Sequence, residues 1–212
     1  MDRGADGPAA REAVAVGLLG GAIVCSACCG GSARGADERA MRVLGIDPGL
    51  RLTGYGCIEH VRGARAAGVR VVEAGVIRLD SKRSVSERLV ELEADLTGLI
   101  GRVRPDVVAV EQLYSHYAHP TTAIVMGHAR GIILLVVQKA GVRLLELRAT
   151  EVKKSATGFG HAGKGQMQRA MQGELGLAEL PKPPDVADAL AIALCGLRRE
   201  SFGPGVVRGR GR

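Results

Sequence analysis

The chain has 212 residues, a net charge of +7, 46% apolar residues and very few aromatics, with no Trp, two Phe and three Tyr. That length accommodates one α/β domain plus extra sequence, and the apolar fraction supports a sizeable core of Val, Leu, Ile and Ala. The five cysteines follow no regular framework, which argues against a disulfide-stapled secreted module. The basic balance, continued by the C-terminal Val-Val-Arg-Gly-Arg-Gly-Arg, favours a polyanionic partner such as nucleic acid.

The first forty residues differ from the rest. Ala13 to Gly30 is nearly uncharged and rich in small residues, and Gly31 to Ala40 is polar and Gly/Ala-rich. As a membrane span this run is short and weakened by glycine. As a signal peptide it begins with a mixture of acids and only two arginines. Residues 1–40 are therefore expected to form an extension outside the fold, disordered or preceding a working start at Met41. A cytoplasmic protein without a membrane anchor is the corresponding expectation. Residues 41–199 are expected to be the folded domain and 200–212 a flexible basic tail.

Arg42–Asp47 reads as a first strand, apolar without alternation and ending on a carboxylate before a Pro48-Gly49 turn. Gly54–His60 and Gly68–Leu79 read as further strands of an antiparallel meander, joined by a basic turn around Arg62-Gly63-Ala64-Arg65. Ser84–Val103 has Leu89, Leu92, Leu96 and Leu99 at helical spacing, and Glu87 follows Ser84 as in a capping box. Pro105 ends that helix, and Asp106–Glu111 is a fourth strand, again an apolar run ending on an acid. A helical crossover lets it return parallel to the first, bringing Asp47 and Glu111 to one sheet edge.

Gln112–Pro120 is a loop bearing two tyrosines and two histidines. Thr121–Lys139 is long enough for a helix, although its Ile132–Val137 stretch is mostly β-branched and locally ambiguous. Val142–Leu147 is a last strand, and Thr150 is positioned to cap a short helix through Lys154. Gly158–Gly165 is a connector, Gln166–Leu175 a helix, and Pro184–Arg199 the final helix, with Pro184 suited to its first turn. The β-β-β-α-β-α-β-α-α order predicts an α/β fold whose mixed sheet carries helices on its faces.

The final helix opens Asp185-Val-Ala-Asp188. Acids three apart share a helix face, and in the first turn the helix dipole favours them. Alone, that pair reads first as a helix cap. Converging with the two strand-end acids, it would form a four-carboxylate cluster that repels itself unless cations intervene. Oxygen-only clusters select hard ions such as Mg²⁺ or Mn²⁺. Two such ions roughly 4 Å apart can activate water and stabilise the leaving oxygen in phosphodiester hydrolysis.

The segments GIDPGLRLTGYG, VAVEQLY, GHARG, EVKKSATGFG and PPDVADALAIAL resemble, in order and spacing, the RuvC family of Holliday junction resolvases. The resemblance spans about Met41 to Arg199. It implies an RNase H-like fold with a five-stranded mixed sheet, a homodimer, and symmetric Mg²⁺-dependent cutting of four-way junction DNA. By the same motifs, Asp47, Glu111, Asp185 and Asp188 are the expected catalytic metal ligands, for two Mg²⁺ ions per subunit with Mn²⁺ able to substitute. Partnership with the RuvA and RuvB branch-migration proteins is implied as well.

Lys153, Lys154 and Lys164 flank a Gly-rich loop, where phosphate contact is natural and a solvated charged face is the alternative. The family places DNA-binding lysines at positions matching Lys153 and Lys164. Tyr114 lies where the family carries an aromatic that inserts at the junction, and an aromatic there can stack on an unpaired base. The family's FFAKN-like loop is here Tyr114-Ser-His-Tyr-Ala118, with Tyr117 replacing the lysine. His116 and His119 fit a solvent- or DNA-facing loop better than zinc. His128 and Arg130 are expected at a dimer or core face, and Cys57 and Cys195 in the core. Two other readings compete: a nucleotide-binding domain of the actin/sugar-kinase type, for which about 170 residues are too few, and a non-catalytic DNA-binding protein, which has no need of all four acids.

Overall fold

The structure is a computed structural model that describes residues 40–60, 68–112 and 120–202. The strands are β1 (Arg42–Asp47), β2 (Leu52–His60), β3 (Val69–Arg78), β4 (Val107–Glu111) and β5 (Arg143–Leu147). The helices are α1 (Val85–Val103), α2 (Pro120–Lys139), α3 (Ala149–Thr157), α4 (Lys164–Leu175) and α5 (Pro184–Phe202). The sheet order is β3-β2-β1-β4-β5, with β1–β2 and β2–β3 antiparallel and β1–β4 and β4–β5 parallel. The expected five-stranded mixed sheet with flanking helices is therefore present.

The alternation of side chains along each strand divides the core into two layers. Leu44, Ile46, Tyr55, Cys57, Val108 and Val110 face α1 and α2. Val43, Ile58, Val107, Ala109 and Leu145 face α5 and its neighbours α3 and α4. On the α5 side the helix meets the sheet almost backbone to backbone. A Cβ on Gly45 would strike the Ala189 carbonyl and the Ala193 amide, and one on Gly54 would strike the Asp185 carbonyl. Glycine on the strands and alanine on the helix are what allow this approach. Apart from Asp188, every α5 residue from Val186 to Leu197 is buried.

Local signals largely set the elements. The capping box forms as expected: Ser84 N–H donates to Glu87 Oε2 at 2.8 Å, and Glu87 N–H donates to Ser84 Oγ at 3.3 Å. Arg104, at φ 47°, closes α1 just before Pro105. The ambiguous Ile132–Val137 run is helical, because Ala129, Ile133, Val136 and Val137 form one buried stripe.

Three expectations need correction and a fourth is narrowed. Thr150 does not cap α3: Arg148 is the N-cap residue, no side chain caps the end, and the helix runs on to Thr157, where Gly158 at φ 80° ends it. Helix α4 starts at Lys164 rather than Gln166, because the Gln166 side chain returns to accept the Gly163 N–H at 2.9 Å. Helix α5 continues past Arg199 to Phe202, into the stretch expected as a tail. Of the dimer-face and core-face alternatives for His128 and Arg130, exposure removes the core one for His128, and Arg130 is half-buried.

Cys57 and Cys195 are buried free thiols, as expected, and burial pushes Cys57 up to about 12. Among the described residues, no helix is long and apolar enough to cross a membrane. The extension 1–39, the basic turn 61–67, the loop 113–119 and the tail from 203 lie outside the described residues.

Candidate active site

β1 and β4 run in parallel, with Ile46 paired to Val110, so Asp47 and Glu111 end neighbouring strands at one edge. Both also stand on the α5 face, because Val43, Gly45 and Asp47 alternate in step with Val107, Ala109 and Glu111. Asp47 pairs across β2 with Gly54, the glycine against which the Asp185 backbone rests. Asp188 lies one helical turn further along α5. The strand period and the glycine contact thus bring two strands and one helix to the same point.

Behind Asp47, the Pro48-Gly49 turn is locked by Thr53, which is fully buried. Its hydroxyl donates to the Gly49 carbonyl and accepts the Gly49 N–H. On the far side, Gln112 N–H donates to the Leu147 carbonyl at 2.8 Å. Arg130 Nε donates to the Glu111 carbonyl at 3.4 Å while its guanidinium pairs with Glu146. The backbone carrying each strand-end acid is therefore fixed by its own hydrogen bonds.

The electrostatics record the convergence. Burial, followed by the charges of Asp188, Glu111 and Asp185, pushes the Asp47 carboxyl up to about 8, with Lys164 opposing. Burial and Asp188 raise Glu111, with Lys153 opposing. Burial raises Asp188 also, where Lys164 and Lys153 oppose and Asp185 adds to the rise. All four acids are partly accessible. The cluster thus carries more negative charge than its surroundings compensate.

A donor set of four carboxylates fits a hard divalent cation and no soft one. Among the described residues, no three Asp, Glu, His or Cys side chains are drawn tightly enough to grip an ion as they stand. The repulsion that raises Asp47 also opposes a tighter cluster until a cation offsets it.

Lys153, half-buried on α3, and Lys164, the first residue of α4, flank the acids. Lys154 is exposed and, as the next residue along the helix, projects in a different direction from Lys153. Tyr114, His116, Tyr117 and His119 lie outside the described residues. Two features escaped the sequence reading. Phe159 is 77% exposed on the loop between the two flanking lysines. Arg51 and Arg78 reach the same sheet edge from β2 and β3.

A family model described as crossover junction endodeoxyribonuclease RuvC matches residues 43–196. The chain belongs to the RuvC family. Curated RuvC proteins resemble it over most of their length. That of Caldicellulosiruptor saccharolyticus is 45% identical over 155 residues, covering 73% of this chain and 91% of the relative. That of Rhodopirellula baltica is 47% identical over 154 residues, covering 73% and 84%. Among solved structures, Thermus thermophilus RuvC superposes with a TM-score of 0.68 at 34% identity, covering 77% of this chain and 97% of that one. The same RuvC in complex with a Holliday junction substrate gives 0.67 at 31% identity, with the same coverage. The yeast mitochondrial resolvase Ydc2, at 18% identity and a TM-score of 0.56, covering 76% of this chain and 79% of that one, shares the fold. This RuvC chain is accordingly an endodeoxyribonuclease with the RNase H-like architecture of the group.

Proposed function

We propose that this chain resolves Holliday junctions during recombination and repair, cutting two opposed strands with Asp47, Glu111, Asp185 and Asp188 as its catalytic metal-binding acids. The observation that carries this reading is the convergence of four carboxylates from β1, β4 and α5, with Asp47 raised to about 8 by burial and then by its acidic neighbours. Bound Mg²⁺, two ions per subunit with Mn²⁺ able to substitute, supplies water activation and stabilisation of the leaving oxygen.

The residues of the chain do the rest. Asp47 and Glu111, held on hydrogen-bonded strand ends, define one side of the ion site, and Asp185 and Asp188 close it from the helix. Lys153 and Lys164 neutralise the phosphate being cut and its neighbour, and Lys154 contacts the backbone further out. Tyr114 stacks on a base at the opened junction. Homodimerisation sets two such sites about a two-fold axis, matching the near symmetry of the junction. RuvA and RuvB are the proposed partners, in the cytoplasm.

The test is a synthetic mobile four-way junction incubated with the full chain, with and without Mg²⁺. Paired, symmetric nicks that need the metal are expected. Asp47→Asn is expected to retain junction binding and lose cutting. Substantial Mg²⁺-dependent cutting by that variant would remove Asp47 from the metal site.

A further inference from the structure

The two edges of the sheet treat arginine differently. At the edge where β1, β4 and β5 begin, Arg42 and Arg70 both pair with Glu59, at 2.9 and 2.5 Å, and Arg143 pairs with Glu200 at 2.6 Å. At the opposite edge, which carries the four acids, Arg51, Arg78 and Arg148 are exposed. Among the described residues, no carboxylate stands within ion-pair distance of any of these three. Half-buried Arg130 at that edge is paired with Glu146, but the three exposed arginines are not, and exposed uncompensated cations gathered at one end of a sheet suit a polyanion that visits that end.

Arg51 and Arg78 are also drawn together. Leu52 pairs with Arg78 at the last rung of the β2–β3 ladder, and Arg51 immediately precedes it. Arg78 follows Ala74 and Val76 at strand spacing, and both of those pack on the α5 side, so it rises from the face that carries Asp47 and Glu111. By strand geometry it lies two strands across and two residues along from Asp47, roughly 12 Å away or about three base-pair steps. Arg51, Leu52, Arg78, Leu79, Asp80 and Ser81 line an open groove of about 590 Å³. The one acid there, Asp80, accepts the Lys82 N–H on Oδ1 at 2.9 Å, and its charge is outnumbered by the two arginines. Lys82, exposed beside it, adds a further positive charge.

We propose that Arg51 and Arg78 form a second phosphate seat for DNA, at the β2–β3 end of the sheet edge that carries the carboxylates and separate from Lys153 and Lys164. The proposal rests on the reading of the chain as a junction nuclease. The strand to be cut is then held at two seats, by lysines on α3 and α4 close to the acids and by an arginine pair further along the edge at β2–β3. Arginine suits the outer seat because its planar fork can grip phosphate oxygens in pairs, which fixes orientation as well as charge. The groove reads no base sequence; it sets the register at which the backbone passes the acids.

The experiment measures anisotropy of a labelled four-way junction across a salt series without Mg²⁺, so that no cutting intervenes, for wild type, Arg51→Ala/Arg78→Ala and the Lys139→Ala control. Lys139 lies on the other side of the fold, paired with Glu93. The double variant is expected to bind about 10-fold more weakly, and its slope of log affinity against log salt to fall by about 1.5. Single-turnover cutting should fall in parallel, with the melting temperature and the Lys139→Ala variant unchanged. Arg51→Lys/Arg78→Lys should keep the salt slope and recover part of the cutting. If wild type binds and cuts while the double variant matches it in affinity and slope, the seat is overturned and the nuclease reading stands. If wild type itself neither binds nor cuts the junction, the nuclease reading fails and the seat with it.

Discussion

The two faces of the sheet solve opposite problems. Toward α1 and α2, large aliphatic side chains such as Leu44, Ile46, Leu92, Leu96 and Ile133 interlock, and no acid of the site belongs to that layer. Toward α5, Gly45 meets Ala189 and Ala193, Gly54 meets Asp185 and Gly56 meets Leu190, so the helix sits at contact distance. A layer of large side chains can absorb a lost methylene by local relaxation. A layer of backbone contacts has nothing that can give, so its geometry is transmitted directly to Asp185 and Asp188. One face supplies stability and the other supplies position.

Substitutions can separate those roles. The largest effect is expected at Asp47. Beyond the loss of cutting, about 10²–10³-fold or more on the scale for removing one pre-organised electrostatic contact, Asp47→Asn should melt at a higher temperature than wild type at pH 8 without metal. The sign follows from linkage. The folded carboxyl holds its proton up to about 8, whereas the unfolded one releases it near 3.8, so the folded state loses stability as pH rises through that window. Thermal unfolding between pH 4 and pH 9 should show a decline in wild type that is blunted in the variant. A wild-type profile flat across this range would contradict the crowding of acids.

Next, Leu92→Ala on the opposite face should cost about 2–5 kcal/mol in urea unfolding, with single-turnover cutting per folded molecule preserved. Gly54→Ala should cost less stability, about 1–3 kcal/mol, yet reduce cutting by at least about 10-fold, since its methyl displaces the Asp185 carbonyl. The comparison of faces collapses if Leu92→Ala and Gly54→Ala affect cutting equally once corrected for folding. Smallest is Ser84→Ala, which removes the capping box of α1 and should lower stability by about 1 kcal/mol with no change in cutting.

Much of this was legible in the sequence because the signals are local. Two apolar runs ending on acids, joined through a helix, place Asp47 and Glu111 at one edge, and the period of two places them on one face. The Ser84–Glu87 box and Pro105 mark α1 to within a residue. Where the sequence misled, the deciding partner was a backbone group or lay far along the chain. Helix α3 begins without a side-chain cap, so Thr150 offered a false start. Gly163 carries no capping side chain, and the return of Gln166 to its N–H is visible only in three dimensions. That Arg143 is neutralised while Arg51 has no ion-pair partner among the described residues cannot be read from composition, since Glu200 lies 57 residues away. The need for glycine at position 45 likewise depends on Ala189 and Ala193, nearly 150 residues later.

That last separation bears on how the molecule is made. β1, β2 and β4 are all synthesised before α5, yet all three pack against it, and half of the carboxylates arrive on it. An emerging chain therefore exposes the glycine-lined face of its sheet and carries only Asp47 and Glu111 of the cluster until the final helix leaves the ribosome. Completion of the core and completion of the four-carboxylate cluster become the same event, so on the proposed ligand set a chain still in synthesis would lack half of its metal-binding acids.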